Sequence, residues 1–117
     1  MATATTRKRV SPQDVDQLIF ERQAMICKAF SHPARLHILD VVGKGECASS
    51  ELQERLNISK ANLSQHIGIL RSAGVISTRR DGSKLYCSLG IPEVKQACQL
   101  IRKVLYAQVE DTRKLGF

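Results

Sequence analysis

The chain has 117 residues, 43% hydrophobic and 25% charged, which suits one small domain around one core. Eighteen Lys and Arg against eleven Asp and Glu give a formal charge of +7, the balance of a protein that meets a polyanion, nucleic acid before a membrane surface. Three Phe, two Tyr and no Trp are too few for the aromatic platforms that stack single-stranded bases or cage choline-like cations.

In chain order, residues 1–11 read as a disordered basic tail carrying Arg7, Lys8 and Arg9, ahead of one domain over 12–113. Ser11-Pro12-Gln13-Asp14 predicts a helix start, with Ser as cap, Pro in the first turn and Asp three residues on. Val15, Leu18, Ile19, Ile26, Ala29 and Phe30 continue it at helical spacing over about 12–30. Ser31-His32-Pro33 breaks the pattern and starts a second helix with a Leu36, Leu39, Val42 stripe, closed by Gly43-Lys44-Gly45. A third helix is expected from about Ser49 to Leu56, and a tight turn at Asn57-Ile58-Ser59 leads to a fourth that runs to Ala73 and stops at Gly74. Two strands follow, roughly 75–79 and 84–89, around the hairpin signal Asp81-Gly82. A last helix over about 92–112 carries Val94, Ala97, Cys98, Ile101, Val104, Leu105 and Val109. Five helices with a two-stranded wing make a mainly α, winged helix-turn-helix fold. The first and last helices have broader apolar faces than one small domain covers, so the chain is expected to form a homodimer through them.

The fourth helix turns Leu63, Ile67 and Leu70 inward and presents Ala61, Ser64, Gln65, Gly68 and Ser72 outward. Small side chains let a helix lie close in a major groove. Gln65 suits a base edge, Ser64 a base or phosphate, and the Ala61 methyl a thymine methyl. Ser59, Lys60 and Asn62 lie at the positive end of the helix, where phosphates bind. Arg79, Arg80 and Lys84 surround the hairpin turn and fit phosphate or minor-groove contacts. The plainer readings are an ordinary surface helix and a charged, solvated hairpin tip. They leave the basic wing beside a small-residue helix face unexplained.

Phe30-Ser31-His32-Pro33-Ala34-Arg35-Leu36, Leu56 through Ile67, and Leu70 through Gly74 resemble the corresponding segments of ArsR/SmtB-type bacterial repressors. The resemblance spans roughly residues 15–110. It implies a dimeric repressor that binds a partly palindromic double-stranded DNA operator and releases it on sensing a metal, metalloid or thiol-modifying signal. Two metal sites of that family do not carry over. Cys47-Ala48-Ser49 stands where a Cys-x-Cys pair would lie, and the last helix has no His. Ala48 also replaces a usual capping Ser, an arrangement expected to move the cap to Ser49.

No C-x-x-C, H-E-x-x-H, G-x-G-x-x-G, P-loop or G-x-S-x-G pattern occurs, so no metal, cofactor or catalytic residue is assigned. His32 reads as structural, and His66 as a backbone partner on the helix flank. No export signal, anchor or membrane-spanning run is read, and a cytoplasmic protein is expected. The four cysteines, Cys27, Cys47, Cys87 and Cys98, read first as small buried hydrophobes. A sharper expectation is that Cys27 and Cys98, on the first and last helices, form a redox-sensing pair that releases DNA. Two other classes remain: a cysteine-based redox enzyme, for which only Cys27 has a cation beside it (Lys28), and a winged helix used for protein contacts alone.

Overall fold

The computed structural model describes residues 11–114 and Gly116. Apart from Ser11, the tail expected over residues 1–11 lies outside the described residues.

Helix α1 (Pro12–Ala29) begins at a complete capping box: Ser11 Oγ accepts from the Asp14 amide at 3.1 Å, and the Ser11 amide donates to the Asp14 carboxylate at 3.2 Å. Helix α2 (Pro33–Val42) is capped by His32, whose Nδ1 accepts the Ala34 N–H at 3.0 Å. The stripe expected on α2 needs correction. Leu39 and Val42 are buried as expected, but Leu36 is exposed, and Ile38 and Val41 join the buried face. α2 packs against α3, α4, α5 and a wing strand, so its buried face is wider than one stripe.

A two-residue strand, β1 (Cys47–Ala48), precedes α3 (Ser49–Leu56). Ala48 remains the N-cap of α3 without a side-chain bond, so the cap does not move to Ser49. Asn57 ends α3 in the left-handed region (φ 52°), and α4 (Lys60–Ser72) starts at Ser59, whose Oγ accepts the Asn62 amide at 3.1 Å. β2 (Ile76–Asp81) and β3 (Lys84–Leu89) form the hairpin, and α5 (Glu93–Lys114) closes the chain.

The sheet has three antiparallel strands in the order β1-β3-β2, where the sequence predicts two. Two residues of strand carry no alternation that could be read in advance. β2 also runs past its expected end at 79, because Asp81 pairs with Lys84 and only Gly82 and Ser83 make the turn. Gly82 supplies the positive φ of 63° that this turn needs. Gly90 answers a different demand: a Cβ there would stand 2.5 Å from the carbonyl oxygen of Gly74, where the wing returns to the base of α4. The core gathers Ile38, Leu39, Leu52, Leu63, Ile67, Leu70, Val75, Ile76 and Cys87 between α2, α3, α4 and the sheet. That packing fixes the helix-turn-helix and wing as one body.

Candidate nucleic-acid interface

The buried stripe of α4, Leu63, Ile67 and Leu70, leaves Ala61, Ser64, Gln65 and Ser72 exposed on the outer side. Lys60, Ser64 and Arg71 recur on one edge of that helix and face the wing. Together with Arg80 and Lys84 they line a cleft between α3, α4 and the hairpin, with Ser49, Ser50 and Gln53 of α3 on its floor. Among the described residues, four cations and no carboxylate line this cleft. A concave surface of one sign concentrates the field on whatever polyanion fits it.

The expected site residues do not all fall in this cleft. Lys60, Ser64, Arg80 and Lys84 do. Gln65 opens onto the neighbouring groove between α4 and α1, beside Met25, Lys28, Gly68 and Ser72. Ala61 and Asn62 are exposed on the outer turns of α4, and the Ser59 hydroxyl is engaged in capping that helix. Arg79 points away from the cleft, because successive strand residues face opposite sides. It donates to both carboxylate oxygens of Glu46 and lies over the ring of Tyr86.

Sequence reasoning missed Arg71. It donates to Thr78 Oγ1 at 3.3 Å and so ties the end of α4 to β2 at the cleft wall. Its spacing from Lys60 and Ser64 along one helix edge was the available signal. His66, expected to bond backbone, instead faces the Arg35 guanidinium at 3.2 Å.

The four cysteines are unbonded in the chain. Cys47 and Cys87 are buried and directly opposed in the β1–β3 register. The Cys47 thiol donates to a Glu51 oxygen at 3.2 Å, and burial followed by that bond pushes its pKa up to about 11. Cys98 is half-buried against the core and α2, and burial raises its thiol too, whereas Cys27 is exposed on α1. Of the expected pair, Cys27 is the more open to solvent. No group of three or more His, Cys, Asp and Glu suited to a metal occurs among the described residues.

Outside the cleft, the largest apolar exposure is on α1 and α5. Ile19 is 55% exposed, Phe20 65%, Val104 59% and Leu105 52%. No helix among the described residues is long and apolar enough to cross a membrane.

The helix-turn-helix domain family matches residues 30–79. Over 94 residues the chain is 33% identical to the uncharacterized HTH-type transcriptional regulator Rv0081 of Mycobacterium tuberculosis, covering 80% of this chain and 82% of that one. The crystal structure of Rv0081 matches with a TM-score of 0.74 over 80% of this chain and 95% of the other. The biofilm growth-associated repressor of Agrobacterium fabrum is 31% identical over 88 residues, 75% of each chain. At 23% identity, a likeness of fold alone extends to the homodimeric winged helix-turn-helix DNA-binding domain Mb0332 of Mycobacterium bovis, with a TM-score of 0.78 over 88% of this chain and 95% of that one.

Proposed function

The chain belongs to the ArsR/SmtB family of winged helix-turn-helix transcriptional regulators, and we propose that it is a homodimeric, sequence-specific repressor of transcription acting in the cytoplasm. The observation that carries this reading is the cleft of Lys60, Arg71, Arg80 and Lys84, free of carboxylates and flanked by the small-residue face of α4. In this reading α4 enters the major groove, Gln65 meets base edges, and Ser59, Lys60, Ala61, Asn62 and Ser64 complete the helix contacts. The wing cations Arg80 and Lys84 grip phosphate, while Arg79 stays paired with Glu46 on the opposite face of the wing. No catalytic residue and no cofactor enter into it.

The dimer follows from the exposed apolar faces of α1 and α5. Side chains such as Phe20 and Leu105, left in water, forgo the stabilisation that burial gives, about 25 cal/mol per Å². Pairing them across a twofold axis sets two copies of α4 about one DNA turn, ~34 Å, apart, and calls for a partly palindromic operator. Release by an effector is part of the proposal. Exposed Cys27 would react first with an oxidant, and Cys98 would resolve the product to a disulfide, shifting the two helices that set the spacing of the recognition helices. Selection of bound duplexes from a random pool tests the reading as a whole. Enrichment of a twofold-related motif is expected, and a pool that stays random would contradict sequence-specific repression.

A further inference from the structure

Arg35 is 7% exposed, a charged side chain inside an otherwise apolar core. Burying a guanidinium is costly unless its donors are satisfied. Here the donors reach two other elements. Nε donates to the Ala29 carbonyl at 2.8 Å and one terminal nitrogen to the Lys28 carbonyl at 3.1 Å, both at the end of α1. The other terminal nitrogen stands 3.2 Å from Nδ1 of His66 on α4. A guanidinium can only donate, so His66 Nδ1 must offer a lone pair, and the ring is neutral with its proton on Nε2. The His32 ring lies 4.5 Å from the His66 ring, centroid to centroid, with its own Nδ1 occupied in capping α2.

One side chain of α2 thus bridges the end of the proposed dimer helix to the flank of the proposed recognition helix. We infer that Arg35 and His66 are positioning residues that set α4 against α1, and that protonation of His66 opens this joint and weakens DNA binding. The inference rests on the DNA-binding reading above. A protonated ring would turn an N–H toward a group that cannot accept it and set two cations against each other. The charged or titratable groups that act on His66 are His32 from the α1–α2 junction and Arg35 from α2, and no carboxylate is among them. Burial, then His32 and Arg35, hold the His66 pKa below its ordinary value.

The sign of the effect separates this joint from bulk charge. Acid adds positive charge to a basic protein and ordinarily tightens its hold on a polyanion. An opening joint does the reverse.

The test uses the full chain and a labelled random-sequence duplex, with affinity followed at fixed low salt from about pH 7.5 to about pH 5.5. Hydrogen-exchange protection of the α4 amides is measured alongside, without DNA. The wild type is expected to weaken about tenfold as α4 loses protection. In His66→Asn the Oδ1 atom replaces Nδ1 as acceptor without titrating, so neutral-pH affinity is kept, binding tightens in acid and α4 stays protected. His32→Asn, which still caps α2, keeps the weakening in acid, with its onset moved to higher pH because a charge that opposes His66 protonation is gone. A wild type that tightens in acid as His66→Asn does, or a response abolished by His32→Asn, would overturn the inference. Failure of the wild type to bind duplex at neutral pH would instead count against the DNA-binding reading, and α4 protection in the wild type and His66→Asn would still decide the joint.

Discussion

Arg79 and Glu46 stand 33 residues apart in the chain and meet in a two-pronged pair, Nε to Oε2 at 2.9 Å and a terminal nitrogen to Oε1 at 2.6 Å, with the guanidinium 4.4 Å above the Tyr86 ring. Glu46 leads into β1 and Arg79 lies on β2, so the pair clasps the wing across the face opposite the cationic cleft. The ion pair raises the pKa of Arg79 and lowers that of Glu46, so both stay charged at neutral pH.

Arg79 is therefore already occupied, and Arg79→Ala should cost clearly less duplex affinity than Arg80→Ala. Glu46→Gln, which frees the guanidinium, should tighten nonspecific binding and steepen its salt dependence by about one phosphate contact. Anisotropy titrations at several salt concentrations measure both. Equal losses for Arg79→Ala and Arg80→Ala would mean that Arg79 leaves Glu46 for DNA.

The dimer is open to a direct trial. Leu105 is 52% exposed on α5, so Leu105→Asp disturbs little within one protomer and places a charge in the proposed seam. Light scattering should find the wild type dimeric at micromolar concentration and Leu105→Asp monomeric, with unchanged helical circular dichroism. A monomeric wild type would remove the twofold operator from the proposal.

His66 also links stability to pH. Its pKa in the folded chain lies below the ordinary 6.5, so the unfolded chain takes up the proton more readily. Stability from this group is complete above that ordinary value and falls as pH drops through it toward the depressed folded value. Thermal melts should show the wild type losing more stability than His66→Asn on passing from about pH 7.5 to about pH 5.5. Parallel losses in the two proteins would show that His66 carries no such linkage.

The cysteine proposal predicts that peroxide releases duplex from the wild type but not from Cys27→Ser or Cys98→Ser, and that reductant restores binding. The bond forms at the expense of peroxide, two thiols giving one disulfide and two waters. Cys47→Ser should leave the response intact, since burial holds that thiol protonated, with a pKa of about 11. Release that persists in both Cys27→Ser and Cys98→Ser would rule out this pair.

Local signals were legible in the sequence wherever one residue type meets one backbone demand. Ser11 with Asp14, Pro33 after His32, Ser59 before α4 and Asp81-Gly82 in the wing each mark a boundary by their own chemistry. The unpartnered apolar faces of α1 and α5 were legible for the same reason, because helical spacing shows them without a partner in view. What was not legible depends on distant pairs. β1 exists because Cys47 and Ala48 pair with Cys87 and Tyr86, and two residues hold no pattern of their own. Arg79 reads as a free wing cation until folding brings Glu46 to it. Likewise Arg35 and His66, 31 residues apart, meet only because α2 packs against α4.

The central claim, that the cleft and the outer face of α4 divide DNA binding between them, is tested most directly by comparing Lys84→Ala with Gln65→Ala on a selected operator and on a random duplex over a range of salt. Lys84→Ala should weaken both duplexes alike and lower the slope of log affinity against log salt by about one. Gln65→Ala should leave that slope unchanged and weaken the operator alone, by about 1–3 kcal/mol. Identical losses for the two variants on both duplexes would contradict the division, and binding indifferent to salt would contradict DNA binding by this cleft.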